Sequence, residues 1–373
     1  MARFSPGYGG DPWGRLYRQR QRRVLLALAL LALVVVASLW VTSLLKPRSG
    51  ASIRVGPTLV RVLDTSTGKV MSLALEDYLV GVVAAEMPAE FELEALKAQA
   101  VAARTYALKR LVEARAPAPA STPGSATTPS APAQSRQEDP NGTLLPGPQG
   151  HPGADLCTNP THCQAWFSKE EMRRRWGLVR YLAYLRKIEK AVKATAGEVL
   201  VYQGCYIDPV YHSVSNGHTE DSEDVWSESI PYLRGVPSPW DTSSPKFEGK
   251  TVVSLSDLDR LLGTHLSALP TSALGSNGPA LKVLKRTKSG RVKTMMIDGK
   301  EIEASRLRQI LGLNSTDFRW EASGRYLVFY TRGRGHGVGM SQYGANGMAK
   351  EGKTYRDILT YYYSGVEIKK LKL

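Results

Sequence analysis

Val24 to Leu45, "VLLALALLALVVVASLWVTSLL", is an uninterrupted run without a charged residue. At about 1.5 Å of rise per residue, a helix of roughly 22 residues spans the hydrocarbon layer of a bilayer. No other stretch constrains the chain so strongly, because it commits one segment to lipid. Arg15, Arg18, Arg20, Arg22 and Arg23 crowd its front edge, so the N-terminus is expected to stay in the cytoplasm and the remainder to lie outside. The competing reading is a cleaved secretion signal, although no small-residue cleavage site stands out after the run. Either way, everything after residue 48 lies beyond the membrane. The formal charge of +15 (49 Lys and Arg against 34 Asp and Glu) then points to lipid head groups or a cell-wall polymer rather than nucleic acid.

The 373 residues are enough for one two-lobed unit or two domains. Three cysteines cannot form a disulfide framework. Residues 51–75 alternate as short strands. Leu75–Met87 has helical spacing and should stop at Pro88. A second helix over 93–112 puts Leu93, Leu96, Ala100, Ala103, Ala107 and Leu111 on one face. Residues 114–150, rich in Ala, Pro, Ser, Thr and Gly, read as a flexible insertion. A charged helix follows over 168–195. Residues 241–330 carry two short helices and a hairpin turning at Ser289–Gly290, the makings of a smaller lobe. Thr354 and Asp357 form a capping-box pair, with Gly365 as the stop. The expected fold class is α+β: a two-lobed mixed α/β ectodomain with a substrate cleft, preceded by one transmembrane helix.

Glu86 is the residue most at odds with its surroundings. Val82, Val83, Ala84 and Ala85 offer little solvation to a charge, and the last turn of a helix disfavours an anion. Both effects raise a carboxyl pKa, as general-acid work at a glycosidic oxygen requires. An exposed glutamate at a helix end is the alternative. On the next helix, Lys97, Gln99 and Arg104 offer polar tips that could reach a sugar, or could merely form a solvated face. His212 and Ser213 are strand neighbours and point to opposite faces, so they do not make a nucleophile–base pair. With Ser215 they suit hydrogen bonding to a substrate. "GRGHGVGMSQYGANG" lacks the Lys-Ser/Thr ending of a phosphate loop. It reads instead as backbone lying close to a ligand or another segment, presenting His336, Gln342 and Tyr343. His151, Cys157, His162 and Cys163 fall within one short stretch, a donor set suited to a structural tetrahedral zinc. A Cys157–Cys163 disulfide with two incidental histidines is the other reading.

Taken in order, "LEDYLVGVVAAEMPAEFELEALKAQAVAARTYAL", "AVKATAGEVLVYQGCYIDPVYHSVSNGHTEDSEDVW", "PYLRGVPSPWD" and "GRGHGVGMSQYGANGMAKEGKTYRDILTYYYSGVEI" resemble the family of stage II sporulation protein D and the amidase enhancers. The resemblance covers most of residues 52–370, apart from the insertion. Arg334 stands where the family usually has tryptophan, and "HSVSNG" replaces a more usual His-Ser-Thr-Ser-Gly-Gly. The resemblance implies a lytic transglycosylase that cuts peptidoglycan strands during sporulation engulfment, with Glu86 as its catalytic group. It also implies sporulation protein P, an amidase/endopeptidase, and sporulation protein M, a membrane scaffold, as partners at the engulfing membrane. An inverting hydrolase would need a second carboxyl, for which Asp221, Glu223 and Asp224 are the candidates. A non-catalytic wall-binding activator of an amidase is the rival from another class. The implied organisation is a cytoplasmic basic tail (1–23), a transmembrane helix (24–45) and a first part of the catalytic core (52–113). The insertion (114–150) follows, then the His/Cys cluster, long helix and second part of the core (151–240), the smaller lobe (241–330), and a glycine-rich loop with C-terminal helix that completes the core (331–373).

Overall fold

Residues 58–115, 151, 153–276 and 278–371 are described by the computed structural model. They fall within one of the chain's two units, Pro57–Leu373. The tail 1–23, the apolar run 24–45 and nearly all of the insertion 114–150 lie outside the described residues. Among the described residues no helix is long and apolar enough to cross a membrane. The fold is mixed α/β with several small sheets.

The first core begins with an antiparallel hairpin, β1 (Leu59–Asp64) and β2 (Lys69–Ala74), whose turn is pinned by Asp64 accepting from Ser66 and Thr67. Helix α1 (Leu75–Glu86) follows directly, and α2 (Leu93–Arg115) comes after a tight connection. Two-residue β3 (Leu156–Cys157) adds to β1 in parallel, with Leu63 opposite Cys157. Then come α3 (Lys169–Ala194), β4 (Glu198–Tyr202), β5 (Cys205–Tyr206), β6 (Tyr211–His212) and the single turn α4 (Ser222–Val225).

The smaller lobe holds β7 (Glu248–Ser254), α5 (Leu255–Leu262), α6 (Thr271–Leu274), β8 (Leu281–Arg286), β9 (Val292–Ile297), β10 (Lys300–Glu303), α7 (Ala304–Leu311), β11 (Phe318–Ser323) and β12 (Tyr326–Arg332). Its strands form two antiparallel sheets, β10-β9-β8 and β11-β12-β7, around a second apolar core that includes Leu258, Leu307, Phe318 and Phe329. Helices α5 and α7 each end at a glycine in the left-handed conformation, Gly263 (φ 65°) and Gly312 (φ 63°). The chain then returns to the first core through β13 (Met340–Ser341), α8 (Gln342–Lys350), α9 (Tyr355–Tyr362) and β14 (Glu367–Lys370). Thr354 and Asp357 make the capping box of α9. Strand β14 pairs with β4, and β13 with β6, so the last segment closes the first core.

Helix α2 departs from the one-sided pattern expected of it. Ala95, Ala98 and Ala102 are as buried as Leu96, Ala100 and Ala103. The helix is enclosed by α1, α3, β4, α8 and α9. Small side chains let all of these approach the axis closely, which makes α2 the central post of the larger core. Its polar residues therefore need internal partners. Thr105 accepts from the Leu200 amide at 2.9 Å and donates to the Val101 carbonyl.

Candidate functional site

Glu86 is the last residue of α1, with no basic residue in that turn. The chain from Cys163 to Phe167 crosses over this helix. The Phe167 amide donates to the Gly81 carbonyl, and the Trp166 indole lies where a Cβ on residue 81 would have to go, 2.1 Å from it. That close seating brings the Ala165 amide to Glu86 Oε1, to which it donates at 2.8 Å. The Tyr211 hydroxyl and the Gln342 amide also favour the charged carboxyl and work against the rise in its pKa. Burial outweighs these three donors, and the Glu86 pKa is raised above the ordinary carboxylate value. No acidic neighbour is among the causes.

Both side-chain donors are held in turn. Tyr211 accepts from Gln164 Nε2 at 3.1 Å, and Gln164 accepts from the Tyr78 hydroxyl at 3.4 Å. Gln342 donates to Gln99 Oε1 at 3.4 Å. Of the expected sugar-reaching side chains on α2, Gln99 alone joins the Glu86 network. Its Nε2 is buried without a hydrogen-bond partner among the described residues.

Lys97 and Arg104 are placed differently from the sequence expectation. Lys97 pairs with Glu94 at 2.6 Å and lies over the Tyr355 ring. Arg104 is fully buried. It grips the Glu76 carboxylate through two nitrogens (2.9 and 2.7 Å) and donates to the Val192 and Glu198 carbonyls. It ties the start of α1 to the end of α3, and a charge so fully matched has nothing left for a substrate.

Within the glycine-rich segment, chain crossing accounts for two of the glycines. Gly335 (φ 114°) lies against the His212 Cβ, and Gly337 (φ 91°) against Arg291 and Glu220. In both, the left-handed backbone and the lack of space favour glycine. His336, between them, donates from Nε2 to the Tyr211 carbonyl at 3.0 Å and accepts the Val338 amide at Nδ1. Burial lowers its pKa to about 4, so it is neutral at physiological pH. With both nitrogens occupied it is a positioning residue for Tyr211. His212 donates from Nδ1 to the Val338 carbonyl at 3.1 Å, which leaves a lone pair on Nε2 with no partner among the described residues. Burial holds its pKa well below the usual value.

Ser215 is also corrected. It is fully buried and donates to Asp241 at 2.6 Å, and Ser341 donates to the other oxygen of the same carboxylate at 2.6 Å. Ser213 and Tyr343 are joined through backbone, the Tyr343 amide donating to the Ser213 carbonyl at 3.1 Å. The Tyr343 ring stands edge-on to Phe91. Asp221, Glu223 and Asp224 are each matched by a cation: Lys288, Arg234 and Lys293. A cavity of about 660 Å³ is lined by Lys250, Arg286, Asp317, Arg319, Tyr330 and their neighbours in the smaller lobe. A second, of about 250 Å³, lies by Glu220 and Ser289, and Glu86 lines neither.

The donor atoms of His151, Cys157, His162 and Cys163 all lie within 4.8 Å of one another. Cys157 Sγ is 3.5 Å from His162 Nδ1, and Cys163 Sγ is 3.4 Å from His151 Nε2. Such separations fit donors around one tetrahedral centre with bonds of about 2.0–2.3 Å. Both cysteines are free thiols, and the cluster could hold a metal ion. Two of the groups that matter most here, Ala165 and Tyr211, carry no sequence signal. A backbone amide leaves none, and Tyr211 is one of 17 tyrosines.

Residues 64–202 match a family model described as "Stage II sporulation protein". The chain is 39% identical over 325 residues to stage II sporulation protein D of Bacillus subtilis, covering 87% of this chain and 83% of that protein. Its counterpart from Bacillus amyloliquefaciens is 37% identical, covering 85% and 80%. The amidase enhancer of Bacillus subtilis is 28% identical, over 78% of this chain and 40% of that protein.

Proposed function

The chain belongs to the family of stage II sporulation protein D, and on that premise we propose that it is a lytic transglycosylase acting on peptidoglycan glycan strands during sporulation. The observation that supports this reading most is a carboxyl raised in pKa by burial, steadied by three neutral donors and without an acidic neighbour. Protonated Glu86 donates to the oxygen linking N-acetylmuramic acid to N-acetylglucosamine, and the anomeric carbon gains oxocarbenium character. The carboxylate so formed removes the proton of the muramic C6 hydroxyl as that oxygen bonds to C1, giving a 1,6-anhydro end and returning Glu86 to its acid form. Water does not enter, so a second carboxylate is not required. The pairing of Asp221, Glu223 and Asp224 with cations argues in the same direction.

In this reading the His/Cys cluster holds a structural zinc whose four protein ligands leave no open position. Cys163 lies two residues before Ala165, so the ion would brace the segment whose amide holds Glu86. Residues 24–45 anchor the chain in the membrane with the catalytic region outside. An amidase that removes stem peptides is the expected partner class. The test is to incubate the purified chain with denuded glycan and identify the ends by mass spectrometry. Anhydro-muramic ends are expected, whereas reducing-end muramic acid would reject the transglycosylase. Loss of activity in Glu86→Gln separates the enzyme from a wall-binding activator, which would keep its function with the isostere.

A further inference from the structure

Helix α3 is interrupted at Gly177, whose backbone (φ 69°, ψ 163°) is not helical. Immediately beyond the break, Leu178 and Val179 are 65% and 86% exposed, and Leu182 is 47% exposed. Residues 178 and 182 are four apart and 179 and 182 three apart, so one helical face presents all three. Single exposed leucines need no account, but three large apolar side chains together do.

The setting of this apolar knuckle is cationic and aromatic. Helix α3 carries nine lysines and arginines against three glutamates. Arg174 and Arg175 are paired with Glu171, whereas Arg186 stands exposed one turn beyond Leu182 and Arg180 is exposed further round the same helix. Trp176 and Tyr184 pack edge to face behind it, with ring centroids 5.4 Å apart. Leucine and valine at the tip, aromatic rings behind and arginines around make up the composition that enters the head-group layer of an anionic bilayer.

From this we infer that the kinked segment 173–186 docks on an anionic phospholipid surface and holds the domain against the membrane. The inference rests on the proposed membrane span at 24–45. Strand β1 begins at Leu59, so the chain between has a fully extended reach of about 45 Å. A domain on so short a leash meets the bilayer at high effective concentration, and two modest contacts together suffice to hold it there. The excess of basic residues on α3 selects anionic over neutral lipid.

The test uses the full chain, metal-loaded and reconstituted into vesicles, with Cys205→Ser removing the exposed thiol. Val179→Cys carries an environment-sensitive dye, and Val252→Cys, on the exposed face of β7, serves as the comparison site. In vesicles containing phosphatidylglycerol, emission at position 179 should shift to the blue while position 252 stays unchanged. Replacing both Arg180→Glu and Arg186→Glu should weaken that partition by about tenfold or more. A dye at 179 that remains in water with every vesicle overturns the inference, as does an equal shift at 252. A shift in neutral vesicles that grows with protein concentration points to a second copy of the chain and also overturns it. Alkaline carbonate extraction reports on the span separately. A chain retained in lipid while position 179 stays wet leaves the span standing and removes the docking.

Discussion

Glu86 and Asp241 are two acids in the larger core that differ in what surrounds them. Each is buried enough for its pKa to be raised, and each has neighbouring hydrogen-bonding groups that work against the rise. Asp241 has no exposed surface, and serine hydroxyls close on both of its oxygens at 2.6 Å. Glu86 keeps part of its surface accessible, and its donors are an amide proton, a phenol and a carboxamide. A raised pKa alone therefore does not mark an acid for chemistry. What sets Glu86 apart is access, together with donors that do not seal both of its oxygens.

The sharpest test of that distinction is to neutralise each acid in turn. Glu86→Gln should lower anhydro-product formation by about 10³-fold or more, the upper range of what a general acid contributes, whereas Asp241→Asn should change it far less at a temperature where the fold is intact. The first substitution should also stabilise the protein. Because the folded Glu86 pKa lies above its ordinary value of 4.5, ionising it costs the fold stability as pH rises past that value. The gain in Tm should thus be present at pH 7 and absent near pH 4. Stripping metal from the His/Cys cluster comes next, with an expected activity loss of about 10- to 100-fold and a Tm drop of about 5 °C, as the Ala165 segment loosens. Thiol titration of Cys157 and Cys163 would follow the release. Asp241→Asn should cost about 1–3 kcal/mol in denaturant unfolding, since one serine hydroxyl loses its acceptor. Tyr211→Phe should have the smallest effect. It removes a donor that favours the charged carboxyl, so the Glu86 pKa rises further and the alkaline limb of the activity profile moves to higher pH, with less than about tenfold change in rate.

Much of the frame could be read from residue spacing. The helix expected over 75–87 is present as Leu75–Glu86, and the hairpin turning at Ser289–Gly290 joins β8 to β9. The unease of Glu86 was also legible, because its apolar neighbours are adjacent in sequence. What spacing could not give was the company assembled from distant segments. Gln99 and Arg104 are both long polar side chains on one alanine-rich helix, yet one joins the Glu86 network and the other matches Glu76. The alanines of α2 suggested a single packed face, but from Ala95 to Leu108 the helix is buried round most of its circumference, which depends on how many elements converge there. Asp241 closes the stretch "PYLRGVPSPWD", yet nothing in that stretch foretold its serine partners, which lie 26 and 100 residues away. In the glycine-rich run, the need for close approach was legible, and the segment it approaches was not.

Arg291, at the edge of β9, and Glu220, in the loop before α4, are both shut away from water, with Nε and Oε1 3.1 Å apart across the junction of the two cores. Separating the cores would return a guanidinium on one side and a carboxylate on the other to water, and their solvation would offset most of the attraction lost. Swinging one half away from the other to admit a polymer would therefore register first as water reaching this pair, whereas a glycan accommodated without such a swing would leave it dry.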